Sequence, residues 1–252
     1  MPVTPGTIAL LALSAFAAGA VDAVAGGGGL ITVPALIAAG LPPHLALGTN
    51  KGQAVFGVLA SYLRFRRAGM IDAARAKVAF PAGFAGSLLG AGLVLLLSPA
   101  ALKPVVLGLL VAVAAFLAFR RPGPPKPRAR PLPPGPTAAA IALVIGCYDG
   151  FFGPGTGTFL IVAFVALLGD GLAQASAGAK VVNLASNLAA FALFAWRGTV
   201  LWPVALPMAV AQMSGSWVGA HLAVRRGDAF VRKVVLAVVL ALVVKLGRDL
   251  LS

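Results

Sequence analysis

Long apolar runs, rather than alternating or amphipathic spacing, dominate this chain. They occupy about 7–25, 44–63, 76–97, 101–119, 137–150, 172–195, 203–224 and 230–247, with an additional short run from Leu30 to Ala39. A helix needs about 20 apolar residues to cross the hydrocarbon core of a bilayer. The pattern therefore predicts an all-α integral membrane protein with about eight transmembrane helices. The runs 137–150 and Leu30–Ala39 fall short of that length, and both adjoin Gly-rich stretches. Each half is thus expected to carry a Gly-rich break in its first helical segment. Ala17 to Ala20 resembles a signal-peptide cleavage region, but no Lys or Arg precedes the first run and further spans follow, so a membrane helix is expected there.

Residues 120–136, RRPGPPKPRARPLPPGP, hold eight prolines and five basic residues with no acid. This composition predicts an extended linker without regular helix, placed in the cytoplasm by its positive charge. It separates 1–119 from 137–252, and the two parts match as homologous transmembrane repeats. Gly86-Ser87-Leu88-Leu89-Gly90-Ala91 returns as Gly215-Ser216-Trp217-Val218-Gly219-Ala220, a shift of 129 that also takes Lys51 to Lys180. Asp22 and Gly26 return as Asp149 and Gly153 with a shift of 127. Transporters use such repeats to build a site between the halves. If each Gly-broken segment crosses once, the repeats are parallel, four helices plus four. Leu30–Ala39 would rise only about 15 Å as a helix, which favours that arrangement. If each break separates two crossings, the repeats are inverted; charge bias fits both.

Composition sharpens the class. With 60% hydrophobic and 10% charged residues, the chain cannot cover a soluble core. Its net charge of +14 comes from 20 Lys and Arg against six acids, all Asp. The basic residues cluster between apolar runs, which indicates membrane topology and lipid headgroups as partners rather than nucleic acid. His44, His221 and Cys147 form no metal-ligand spacing and read as structural. No nucleotide loop or nucleophile–base pattern is present, so neither an enzyme nor a cofactor is expected.

The candidate site lies in Val21–Pro34 and its counterpart Tyr148–Phe159. Glycines at Gly26, Gly27, Gly28 and Gly29, and at Gly153, Gly155 and Gly157, break helix inside apolar sequence, which lipid tolerates only beside protein or a polar cavity. A helix resuming after such a break offers N–H groups and a positive dipole end to an anion. Lys51 and Lys180 lie about two turns into their helices, where charge is expensive and marks a substrate or ion path. Thr49, Asn50 and Gln53 surround the first lysine, and Asn183, Ser186 and Asn187 follow the second, the two Asn on one helix face. Asp22 and Asp149 are deep in apolar runs and fit either a coupling-proton role or a counter-charge role.

AGGGGLITVPALIAAGLPPHLALGTNK and GCYDGFFGPGTGTF, followed by AKVVNLASN, resemble the paired signatures of the sulfite exporter TauE/SafE family of membrane transporter proteins. The resemblance covers both halves. It implies a multi-pass protein of the bacterial cytoplasmic (inner) membrane that moves small anions, sulfur-containing ones such as sulfite, sulfoacetate or other organosulfonates. Alternating access with a site between the repeats is expected, coupled to a proton or sodium, with room for a homo-oligomer. An anion channel and a non-transporting membrane assembly subunit are the alternatives. The motif residues carried over are Gly26 to Gly29, Pro34, Gly48, Thr49, Asn50 and Lys51, then Asp149, Gly153, Pro154, Gly155, Thr156, Gly157, Lys180 and Asn183. Where many relatives have a glycine run, Pro154, Thr156 and Thr158 intervene, and the two hydroxyls become candidate ligand contacts.

Overall fold

The computed structural model describes residues 4–119 and 132–251, which contain helices and no strand. The helices are α1 (Pro5–Ala25), α2 (Gly29–Ala38), α3 (Pro43–Arg67), α4 (Ala73–Leu96), α5 (Pro99–Phe119), α6 (Pro134–Phe151), α7 (Thr156–Ala163), α8 (Leu172–Trp196) and α9 (Trp202–Leu251). A π-helical turn, Phe164–Leu168, prolongs α7. α9 is broken at Gly227 (φ 60°, ψ −157°), which separates the expected runs 203–224 and 230–247. Among the described residues α1, α4 and α8 are each long and apolar enough to cross a membrane. Large apolar side chains such as Leu10, Leu89, Leu93, Val144 and Val210 stand exposed on the outer surface, as lipid-facing residues do.

Two expectations need correction. The apolar stretch from Thr156 to Leu168 is a helical element in its own right, absent from the expected runs. The linker also yields to helix earlier than expected: α6 starts at Pro134, with Pro136 in its first turn. Proline is tolerated there because first-turn N–H groups have no intrahelical acceptor. Residues 120–131 of the linker lie outside the described residues.

Contacts at glycine fix the helix directions. A Cβ on Gly86 or Gly90 of α4 would overlap the carbonyl of Leu143 or Cys147 on α6; on Gly215 or Gly219 of α9 it would overlap that of Phe16 or Ala20 on α1. These are backbone-to-backbone contacts of the small-residue type that membrane helices use, and the offsets of 129 and 127 carry one set onto the other. In both pairs the residue numbers rise together, so α1 runs parallel to α9 and α6 parallel to α4. Ser87 donates to the carbonyl of Ser186, and Gly83 meets Val182, so α8 also runs with α4. Gly48 lies against Thr199, Gly57 against Gln212, and Arg64 donates to His221 Nδ1 (3.3 Å), so α3 runs with α9.

Two parallel groups result, α1–α3–α9 and α4–α6–α8, joined through α3 and α8. The short turns 68–72 and 197–201 reverse the chain between the groups, so the groups run in opposite directions, and α3 and α8 with them. The chain also turns back at each break. Leu36 and Leu41, beyond the first break, pack with Leu11 near the start of α1, and the Leu132 N–H before α6 donates to the Leu167 carbonyl (3.0 Å) beyond the second. This geometry overturns the leaning toward unreversed segments and a parallel four-plus-four arrangement. The shortness of α2 misled because a helix need not span when it only returns from a break.

One end of the assembly is strongly basic. Arg64, Arg66 and Arg67 close α3, Arg75 and Lys77 open α4, and Arg225 and Arg226 precede the α9 kink. Acids pin this end together. Asp72 caps α4 by accepting from Ala74 N (2.9 Å) and Arg75 N (3.0 Å). Arg75 bridges Asp72 and Asp170 (2.8 Å each), and Asp228 accepts from Leu172 N (3.1 Å) and Ala173 N (2.8 Å) at the start of α8.

Candidate functional site

The two breaks meet between the parallel groups. Gly26 adopts φ 74° and lies against Gly157, where any side chain would strike backbone. Thr158 Oγ1 donates to the Ala25 carbonyl (3.0 Å) across the same contact. Gly153 adopts φ 93° and leaves its missing Cβ position about 3.0 Å from Lys51 Nζ. Glycine at these two positions therefore supplies both the backbone conformation and the close approach.

Each lysine stands eight residues into its helix and reaches the aspartate of the other half. Lys51 Nζ on α3 donates to Asp149 Oδ1 on α6 (2.7 Å), and Lys180 Nζ on α8 donates to Asp22 Oδ2 on α1 (2.8 Å). Both pairs bridge the two groups, and both lysines are at most 2% exposed. Burial makes each charge depend on its partner, since removing one member of a buried pair costs about 3–5 kcal/mol.

The surroundings of the two pairs differ. Asp22 Oδ1 accepts the Gly28 N–H (3.1 Å) at the start of α2, and Lys180 also donates to the Asp22 carbonyl (2.5 Å). The positive end of α2 thus already holds a resident carboxylate. Asp149 is held by side chains: Lys51 and Thr156 Oγ1 (3.1 Å) on Oδ1, Ser186 Oγ and Asn187 Nδ2 (3.2 Å) on Oδ2.

A small cavity of about 30 Å³ lies between the groups. Of the residues expected at a site, Asp22, Gly27, Gly29, Asn50, Lys51, Asp149, Gly153, Thr156, Gly157, Asn183 and Asn187 line it. The others take structural places nearby. Gly26 and Thr158 join the breaks, Gly28 donates to Asp22, and Gly155 faces Val113. Thr49 Oγ1 accepts the Leu201 N–H (3.0 Å) before α9, Gln53 Nε2 donates to Asn50 Oδ1 (3.1 Å), and Lys180 sits behind Asp22.

The sequence matches a known family. A family model described as Sulfite exporter TauE/SafE matches residues 11–246. The chain belongs to that family. Its relatives include "Probable membrane transporter protein ORF9" of Sinorhizobium sp, 38% identical over 96% of this chain and 93% of the relative. A "Probable membrane transporter protein" of Haemophilus influenzae is 37% identical, covering 96% and 95%. "Probable membrane transporter protein YfcA" of Escherichia coli K12 is 35% identical, covering 98% and 92%. No solved structure matches the chain.

Two polar residues of this TauE/SafE protein escape a reading of its motifs. Thr32 donates to Asn50 Oδ1 (2.6 Å) and lines the cavity, as does Gln212 from α9. Ser186, expected beside Lys180, contacts Asp149 directly. Thr32 lies one helical turn after Gly28 and could have been found from that spacing. Gln212 could not be found from the repeat, because the shift of 129 carries it onto Gly83. Asn183 Oδ1 and Gln212 Oε1 are buried without a hydrogen-bond partner among the described residues, so the TauE/SafE cavity has polar capacity to spare.

Proposed function

We propose that this membrane transporter is a secondary transporter of small, sulfur-containing anions such as sulfite, sulfoacetate or other organosulfonates. The observation that carries the reading is Lys51: a buried ammonium on the cavity wall whose hydrogen-bond partner among the described residues is one carboxylate, Asp149. An anion in the cavity would find Lys51, the adjoining break at Gly153, and the amides of Asn183 and Asn187. Either amide can present oxygen or NH₂ by a half-turn of its terminal group. Asp22 and Asp149 serve as counter-charges when the substrate is absent, which spares the site an uncompensated buried cation.

The same architecture supports alternating access. The two halves of the chain act as inverted repeats, and shifting the two parallel helix groups against each other opens the cavity first to one side and then to the other. The basic end, with Arg64, Arg75 and Arg225, faces the cytoplasm by the positive-inside tendency. A cavity of about 30 Å³ has room for about one water, which fits a closed stage of such a cycle better than an open anion pore. Uptake of labelled sulfonates and sulfite into proteoliposomes tests the reading. Lys51→Ala and Lys180→Ala should each abolish uptake while the protein still inserts; undiminished uptake by both would refute the site.

A further inference from the structure

The four buried charges at the breaks cancel: Lys51 with Asp149, Lys180 with Asp22. Accepting the proposed anion would leave the site one negative charge in excess. Burial makes such an excess expensive unless a carboxylate is neutralised. The two carboxylates are unequal candidates, because their hydrogen-bond partners differ in what they can reverse.

Asp22 accepts from the Gly28 main-chain N–H, which can donate but never accept. Its other oxygen faces the Lys180 ammonium, also a donor, and the same ammonium holds the Asp22 carbonyl. A proton on that oxygen would point donor at donor and loosen the turn that begins the first break. Lys180 itself is fully buried and does not line the cavity. This pair is built as a strut.

Asp149 is surrounded by groups with an alternative. Ser186 Oγ, which donates to Oδ2, also reaches the Asn183 carbonyl (3.2 Å). Thr156 Oγ1 also reaches the Gly153 carbonyl (2.6 Å), and Asn187 Nδ2 the Asn183 carbonyl (2.8 Å). With a proton on Oδ2, the Ser186 hydroxyl can turn to the Asn183 carbonyl and accept from Asp149 instead, leaving no orphaned donor. Lys51 is then released toward the cavity that it already lines. The groups facing Asp149 are Lys51 from α3, Thr156 from α7, and Ser186 and Asn187 from α8. On its own helix Tyr148 donates to the Pro154 carbonyl (2.5 Å), and α4 brings Ser87, which is bonded to the Ser186 carbonyl.

We propose, building on the anion-transport reading, that Asp149 takes up one proton from water as the anion enters and that the anion replaces it as the partner of Lys51. Asp22 keeps its charge throughout. The proton adds to the carboxylate, the ammonium of Lys51 stays protonated, and the site gains no net charge.

The test is proton uptake on ligand binding, with purified protein in weakly buffered detergent and methanesulfonate or sulfoacetate as the probe, since neither changes charge near neutral pH. Wild type should take up about one proton per anion bound, and its affinity should tighten as pH falls, up to about tenfold per pH unit. Asp149→Asn should bind with an affinity independent of pH and take up no proton. Binding by the wild type without proton uptake, or uptake that persists in Asp149→Asn, overturns the assignment while leaving the anion site standing. Should Asp149→Asn not fold, Asp22→Asn serves in reverse: retained uptake supports Asp149, lost uptake excludes it. If the wild type binds neither probe, the sulfonate reading fails first and this inference with it.

Discussion

Lys51 and Asp149 are 98 residues apart in sequence and 2.7 Å apart in space, and the contact joins α3 to α6 across the two opposed helix groups. The equivalent contact between Lys180 and Asp22 spans 158 residues. Neither half of the chain neutralises its own lysine.

This crossed pairing predicts how stability and function separate. Lys51→Met or Asp149→Leu alone should destabilise the protein by about 3–5 kcal/mol, because each leaves a buried charge uncompensated. The double variant should recover most of that loss, since an apolar pair of similar volume replaces the ions. Thermal melts in detergent would check the recovery, and proteoliposome uptake should be absent in all three.

Helix contact at glycine gives a second expectation. In Gly90→Ala the new methyl would overlap the Cys147 carbonyl, and in Gly219→Ala the Ala20 carbonyl. Overpacking of this kind costs about 1–3 kcal/mol, so both variants should melt several degrees lower. Gly92→Ala, which meets open space, is the control.

The two threonines of the second break should behave differently. Thr158 ties the breaks together through the Ala25 carbonyl, whereas Thr156 lines the cavity and bonds to Asp149. Thr158→Ala should therefore lower stability by about 1 kcal/mol with substrate affinity retained, and Thr156→Ala should change affinity. Binding measured beside melting separates the two effects.

At the basic end, the main-chain N–H and guanidinium of Arg75 hold the Asp72 carboxyl below its ordinary value. A lowered folded value means that the contribution to stability is present above the unfolded value and is lost as pH falls through the folded one. Asp72 is partly exposed, so the expected effect is under about 1 kcal/mol. The melting difference between wild type and Asp72→Asn should be largest near neutral pH and shrink below about pH 4.

α8 should weaken when its cap is removed from a distance. Gly171 precedes the helix without a capping side chain, and Asp228, beyond the α9 kink, accepts from Leu172 and Ala173 instead. Asp228→Ala should cost about 1 kcal/mol, seen as faster hydrogen exchange in the first turn of α8.

Much of the candidate site was legible because charge is rare here. Lys51, Lys180, Asp22 and Asp149 stand out in apolar sequence, and their shared offsets marked them as related. Gln212 was less visible, since a single neutral polar residue in a membrane helix has no distinguishing pattern until its neighbours are known. Thr49 and Thr158 looked equally polar and hold helices together, while Gln53 supports Asn50 within α3. α7 stayed hidden because its apolar run is shorter than a span and begins inside the glycine motif.

The sequence alone determined that the chain lives in a bilayer, where most of its long apolar helices fall, and which residues form matched pairs, because hydropathy and repetition are properties of the string. Direction was decided by tertiary structure. A repeated motif reads the same whichever way its second copy crosses, so the string cannot say whether the chain continues or turns back at a break. The contact of Gly26 with Gly157, the return of α2 and α7 beside the starts of α1 and α6, and the glycine faces of α4 and α9 settle that question. Those contacts bring each lysine to the aspartate of the opposite half, because a charge buried away from water needs a partner within the protein.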